Sequence, residues 1–130
     1  EASGVDTIAA GDAIVIQTVG QNASAAAVTG TTTNMFKLTT GVAFTTSLQG
    51  TFDAAIGTST VTGLTADSQI LFTLYDTTNS VMVIGSADVN GGATATTFET
   101  ADVVNLIGTV SMTAADYALM DTDNYAVFVA

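Results

Sequence analysis

The side chains of this chain that could bind a metal ion are carboxylates, and one pair with a suitable spacing is Asp121 and Asp123. With Asn124 they form the run Asp-x-Asp-Asn, which resembles the start of a calcium loop, where alternate positions supply oxygen ligands. We do not expect an EF-hand, because Ala126 stands where the turn glycine belongs and the twelfth position would fall beyond Ala130. We therefore predict a calcium site of another type, completed by carboxylates of a neighbouring loop. The alternative is a solvated turn that follows a helix.

The chain offers few side chains for catalysis. It contains no histidine and no cysteine, and its single basic residue is Lys37. A hydrolase would have to use paired carboxylates or a carboxylate-bound metal, as glycosidases use two acids roughly 5 to 10 Å apart. There is also no tryptophan to stack on a sugar. We expect that the protein is not an enzyme, with no certain cofactor and calcium as the one candidate.

Lys37 is the only side-chain amine, and two environments are open to it. Period-2 alternation places it on the opposite strand face from Phe36 and Leu38, which predicts a solvent-facing side chain. The alternative is a buried lysine of the kind that forms an isopeptide bond with an asparagine beside a carboxylate.

Composition limits the possible partners. The 130 residues include 12 acids against one base, which gives a formal net charge of −11. Nucleic acids and anionic membranes require clustered Lys or Arg, so neither is an expected partner, whereas divalent cations are compatible. The hydrophobic content of 48% is too high for an acidic disordered chain. We expect one folded domain over residues 1–130.

Short apolar runs separated by Gly, Asn, Asp and Thr clusters predict many strands. Candidates lie at 12–19, 34–39, 42–48 and 59–64, with a small-residue connection at 21–33 and a turn over "QGTFDAAIGT". The clearest hairpin joins 69–75 to 81–89 through "DTTNS", and a second turn is predicted at "VNGGA" before a strand at 103–111.

The only helix predicted is short and lies near residues 113–120. Thr113 is placed to cap it and Asp116 follows three residues later, near the positive end of the helix dipole. About eight to ten short strands with one helix predict an all-β fold, a β-sandwich of Ig-like or jelly-roll-like type. Several strands are apolar on both faces, so they should lie between two layers or against another subunit.

The last 60 or so residues resemble the C-terminal modules of type-I-secreted bacterial surface proteins, including RTX-type and S-layer proteins. The likeness is carried by Tyr75-Asp76 at a hairpin, by the run Thr113-Ala114-Ala115-Asp116-Tyr117, and by the apolar ending from Tyr125 to Ala130. It implies a bacterial, secreted protein at the cell surface, with an uncleaved C-terminal export signal. The glycine-rich nonapeptides of that family are missing.

We expect an extracellular structural subunit that self-assembles into a filament, surface layer or matrix fibre by β-strand pairing between copies. Terminal strands can complete a neighbour's sheet, because main-chain bonds give affinity and alternate pockets give register. The residues predicted to form these assembly strands are Ile14, Val15, Ile16, Tyr125, Val127, Phe128 and Val129. Two alternatives stay open: both ends pair within their own fold, or the protein is a calcium-binding extracellular module that carries a C-terminal type I secretion signal.

Overall fold

The computed structural model describes residues 16–22, 26–27, 35–59, 61–62, 69–88, 103–121 and 124–125. Seven strands and two helices lie within these residues. Their bounds are β1 Ile16–Val19, β2 Ala26–Ala27, β3 Met35–Leu38, α1 Leu48–Ile56, β4 Val61–Thr62, β5 Gln69–Asp76, β6 Val81–Asp88, β7 Val103–Ser111 and α2 Ala114–Leu119. Neither helix is long and apolar enough to cross a membrane.

Five of the strands form one mixed sheet in the order β1-β3-β5-β6-β7. β1, β3 and β5 run parallel, while β5, β6 and β7 form an antiparallel meander. β2 and β4 form a separate two-stranded parallel pair. Because β1 and β7 stand at the ends of the order, they are the two edge strands of the sheet that the described residues form.

Several of the predicted strands and the first predicted hairpin are confirmed. The β5–β6 hairpin turns through residues 77–80, and the strand predicted at 103–111 is β7 with the same bounds. The second predicted turn, at "VNGGA", lies outside the described residues. β6 and β7 are nevertheless antiparallel neighbours, and their register shifts between Ile84 and Gly85, where a bulge gives β7 one extra residue.

One face of the sheet packs against α1. Its centre consists of three aromatic rings, from Phe36 on β3, Phe72 on β5 and Phe52 on α1. The ring centroids of Phe52 and Phe72 lie 4.7 Å apart, and that of Phe36 lies 6.1 Å from Phe52. These rings are buried together with Leu38 and Leu74, so this face holds most of the apolar core.

The helix α1 corrects two predictions. The sequence "QGTFDAAIGT" was predicted as a turn, yet it contributes most of α1, and the strand predicted at 42–48 is limited to an isolated bridge from Val42 to Asp76. Ser47 caps the helix, because its hydroxyl accepts a hydrogen bond from the Gly50 N–H at 3.0 Å. Gly57 ends the helix at φ 58°, a left-handed conformation that glycine adopts without strain.

The opposite face of the sheet packs against α2, the helix predicted near 113–120. The predicted cap is confirmed as a full capping box: the Thr113 hydroxyl accepts from the Asp116 N–H, and the Asp116 carboxylate accepts from the Thr113 N–H. Tyr117 faces the sheet, where its ring stacks on Tyr75 at 5.6 Å. Met82 completes this smaller cluster.

The protein is mostly β, as predicted, and the described residues form a five-stranded mixed sheet with two short helices. They do not establish a sandwich of eight to ten strands, and they contain two helices where one was predicted. A helix on each face of the sheet explains why the central strands are apolar on both sides.

Candidate assembly surface and polar sites

Among the described residues, β7 carries four of the six large apolar side chains that are exposed. Val103, Leu106, Ile107 and Val110 are between 44% and 60% exposed. Large apolar side chains grouped on one edge strand, with the backbone groups of that edge beside them, are typical of a protein contact surface. We call the strand Val103–Ser111, with its outward backbone groups and these side chains, the β7 edge.

The helix α1 fixes the start of the β7 edge. Gln49 accepts a hydrogen bond from the Val104 N–H at 3.1 Å through Oε1, and its Nε2 donates to the Asp53 carboxylate at 2.9 Å. One backbone donor of the edge is therefore already bonded within the chain. After Val104, the described residues place no strand on the outer side of β7.

A cleft of about 270 Å³ lies beside the β7 edge on the α1 face of the sheet. Its apolar walls include Phe44, Leu48 and Leu106, and Asp76 and Asn79 lie at its polar side. Phe44 is itself 43% exposed, so the cleft extends the apolar surface of β7 towards the loop before α1.

The polar side of this cleft is organised by the buried carboxylate of Asp76, at the end of β5. One carboxylate oxygen accepts from the backbone N–H groups of Thr78 at 2.8 Å, Phe44 at 3.2 Å and Asn79 at 3.3 Å. The other oxygen accepts from the Asn79 amide. Burial alone would raise the pKa of Asp76, but these hydrogen bonds outweigh it and hold the pKa below its ordinary value. Asp76 therefore ties the β5–β6 turn to the loop before α1.

Lys37 is buried, so the prediction of a solvent-facing lysine is wrong. Only 4% of its surface is exposed, and its Nζ donates to the carbonyls of Ala118 at 3.0 Å and Met120 at 2.7 Å. The alternation itself is correct, since Lys37 lies on the opposite face from Phe36, but α2 covers that face.

The amine satisfies carbonyls at the C-terminal end of α2, where a helix leaves acceptors without intrahelical partners. It also lies 4.9 Å from the centre of the Tyr117 ring, within range of a cation–π interaction. Burial lowers the pKa of Lys37, and the negative charge of Asp121 acts in the opposite direction.

Tyr117 connects α2 to the sheet by hydrogen bonding as well as by packing. Its hydroxyl lies 2.8 Å from the carbonyl of Leu38 and 3.0 Å from the carbonyl of Thr73, so α2 is held to both β3 and β5. Burial raises the pKa of Tyr117 far above its ordinary value, because the ionised side chain would lose its hydration inside the protein.

Of the two predicted metal ligands, Asp121 is the one that lies within the described residues. Asp121 is exposed and follows α2, where its N–H donates to the Asn124 side chain at 2.8 Å and its carbonyl accepts from the Asn124 N–H at 3.1 Å. Asp123 lies outside the described residues. No group of three or more potential metal-binding side chains occurs among the residues searched, which are those that the structure describes. The calcium site stays a prediction.

The predicted assembly residues divide into three cases. Ile16 is half-buried in the edge strand β1, opposite Met35 of β3. Tyr125 is half-buried on the α2 face, and its hydroxyl lies 3.5 Å from the Thr73 hydroxyl and 3.5 Å from the Met82 sulfur. The other predicted assembly residues, Ile14, Val15, Val127, Phe128 and Val129, lie outside the described residues.

The β7 edge was not among the predicted assembly residues, although the sequence carries a signal for it. The strand "VVNLIGTVS" is nine residues long and holds no charged residue in a chain of net charge −11. What the sequence does not contain is the strand order, which decides whether this strand lies inside the sheet or at its edge.

Comparison of the chain with protein-family models, with curated proteins and with solved structures finds no match. The resemblance to type-I-secreted surface proteins therefore rests on the short motifs given above.

Proposed function

We propose that this protein is a secreted structural subunit that assembles with copies of itself into an extracellular filament, surface layer or matrix fibre. The observation that carries the proposal is the open sheet. β1 and β7 are its edge strands, and within the described residues neither has a strand on its outer side. Open edges allow a sheet to continue from one molecule into the next through main-chain hydrogen bonds.

The composition supports the same proposal. The chain has no histidine and no cysteine, and its single basic residue is buried. It therefore has few groups with which to bind a small molecule or catalyse a reaction. An acidic protein poor in lysine, with the motifs of secreted surface proteins near its end, suits the cell surface. We also propose that the complete fold is a β-sandwich of eight to ten strands.

Electron microscopy of negatively stained, purified protein tests the proposal. Samples are incubated at low and high salt, with and without calcium, and their mass distribution is followed by analytical ultracentrifugation. Ordered fibres or sheets are the expected result. Uniform monomers under every one of these conditions would reject assembly as the function.

A further inference from the structure

We propose that β7 pairs in antiparallel fashion with β7 of a second copy of this chain, about a two-fold axis that passes between Ile107 and Gly108. The inference rests on the proposed function and names one of its contacts. The sheet would then run without a break from one molecule into the other.

The bulge in β7 allows the two-fold axis to pass between two residues of the strand. Leu106 and Thr109 both line the cleft on the α1 face, although residues three apart in a regular strand point to opposite faces. On β6, Gly85 and Ile84 are adjacent, but their partners on β7, Leu106 and Gly108, are separated by one extra residue. This extra residue shifts the alternation of β7, so that Leu106 and Thr109 lie on the same face. Residues directly opposite each other in an antiparallel pair share a face, so Leu106 can stand opposite Thr109 of the second copy. The same axis sets Asn105 opposite Val110.

The β7 edge lacks most of the features that prevent edge strands from pairing. Such strands are commonly protected by charged side chains, proline, bulges or short length. β7 has the bulge, but its nine residues contain no Lys, Arg, Asp, Glu or Pro. The Gln49 side chain bonds the Val104 N–H and so limits the available edge to the residues that follow it.

The absence of charge on β7 is compatible with a second copy as the partner. A cationic partner would find no carboxylate on β7 to pair with, while an acidic molecule can approach this protein only at a neutral surface. The chain has net charge −11 and its one lysine is buried, so an uncharged strand is where two copies can come together with least repulsion.

Disulfide cross-linking tests the pairing, and the absence of native cysteine allows single-cysteine variants to be interpreted directly. In Gly108→Cys, the added Cβ meets nothing within 4 Å, and the residue lies next to the axis. This variant should form a disulfide dimer under mild oxidation. Leu119→Cys is the control, since Leu119 is 77% exposed on α2, away from β7, and should stay monomeric.

Two further variants determine the strand direction. In the proposed pairing, Asn105 stands opposite Val110 of the second copy, and Asn105 of that copy lies five residues further along the strand. The two Asn105 residues are therefore about 17 Å apart, at ~3.4 Å per residue. Asn105→Cys alone should therefore not cross-link, because disulfides need Cα atoms within about 7 Å. A mixture of Asn105→Cys with Val110→Cys should give the mixed dimer. Cross-linking of Asn105→Cys with itself would overturn the antiparallel arrangement.

A charge exchange at Ile107 tests whether pairing occurs in solution without a covalent bond. Ile107→Lys and Ile107→Glu each place like charges side by side across the axis, so each alone should dimerise about fivefold more weakly than the native chain. Mixed together, the two variants should recover the association as a heterodimer. Leu119→Lys changes the net charge of the chain as Ile107→Lys does, and should dimerise as the native chain does.

The results separate this inference from the proposed function. Cross-linked dimers without fibres would support β7 pairing and reject the polymer. Fibres formed by a protein in which Gly108→Cys does not cross-link, and in which Ile107→Lys assembles normally, would support the polymer and overturn β7 pairing. Thermal melting of every variant checks that the substitutions, all at exposed or open positions, leave the fold intact.

Discussion

At the scale of single residues, Lys37 shows how one buried cation can hold a helix in place. Its amine reaches the carbonyls of Ala118 and Met120, while its aliphatic stem packs inside the protein. The alternation of β3 correctly predicted the face on which Lys37 lies. It could not predict that α2, eighty residues further along the chain, covers that face.

Burial of Lys37 should protect it from amine-reactive reagents. In the native protein we expect acylation of Lys37 to be slower than in the unfolded protein by at least about tenfold, the factor that ~1.4 kcal/mol of local opening free energy produces. Mass spectrometry after limited labelling measures this, because Lys37 is the only side-chain amine. The denatured chain serves as the control, and equal rates in the two states would contradict a buried amine.

Asp76 should make stability depend on pH in the acid range. Its folded pKa lies below the ordinary value of 3.8, so the stability it provides is present above about pH 4 and is lost as pH falls through the lower, folded pKa. We expect Asp76→Asn to lower the free energy of unfolding by about 1–3 kcal/mol at neutral pH, because buried N–H donors lose their charged acceptor.

Denaturant unfolding at a series of pH values measures both effects. Asp76→Asn should also show a smaller loss of stability below pH 4 than the native chain. The matched control is Asp88→Asn on β6, since the described residues provide Asp88 with no comparable set of N–H donors. An equal loss of stability in the two variants would contradict the role given to Asp76.

At the scale of secondary structure, the contact between β6 and its neighbours depends on the absence of a side chain at Gly85. A Cβ at this position would clash with the ring of Phe72, and would lie 2.8 Å from the carbonyl oxygen of Asn105. We expect Gly85→Ala to destabilise the fold by about 1–3 kcal/mol through overpacking.

Gly108→Ala is the matched control for Gly85→Ala. It lies on the strand paired with β6, but a Cβ there meets nothing within 4 Å, so its effect should stay within about 0.5 kcal/mol. Thermal or urea unfolding compares the two variants. A larger effect at Gly108 than at Gly85 would show that close packing around Phe72 is not what requires glycine.

The elements that the sequence predicted best are those whose signals are local. β7 and the β5–β6 hairpin follow from apolar runs bounded by turn residues, and α2 follows from Thr113 and Asp116. α1 was missed although its signals are local too: Ser47 and Gly57 bound it, and Leu48, Phe52, Ala55 and Ile56 repeat at helical spacing. Its small residues and the two glycines near its ends favoured the interpretation as a turn.

The β7 edge, the candidate assembly surface, could not be predicted in the same way, because it depends on strand order. Ile16 was correctly placed on a strand, but a strand's position at an edge is set by non-local pairing. Tyr125 was predicted as part of an assembly strand because of the apolar alternation over residues 125–130. In the structure its hydroxyl contacts Thr73 and Met82 of the same molecule.

At the scale of the whole molecule, charge opposes any assembly of this protein. Each copy carries 12 acids, and its single cation is buried between β3 and α2, so no exposed lysine or arginine is available to meet a neighbour's carboxylates. Attraction between copies must therefore come from apolar contacts and main-chain hydrogen bonds, with salt reducing the repulsion.

Self-association should accordingly strengthen as the salt concentration rises. The Debye length falls from about 30 Å at ~0.01 M to about 10 Å at ~0.1 M salt, so repulsion between two chains of net charge −11 is much reduced over this range. Analytical ultracentrifugation should show the dissociation constant falling with added NaCl, and an increase would contradict an association limited by repulsion.

A comparison of calcium with magnesium at equal ionic strength separates screening from binding at a specific site. An excess effect of calcium that is lost in Asp121→Asn would point to the predicted calcium ligands, and equal effects of the two ions would point to screening alone.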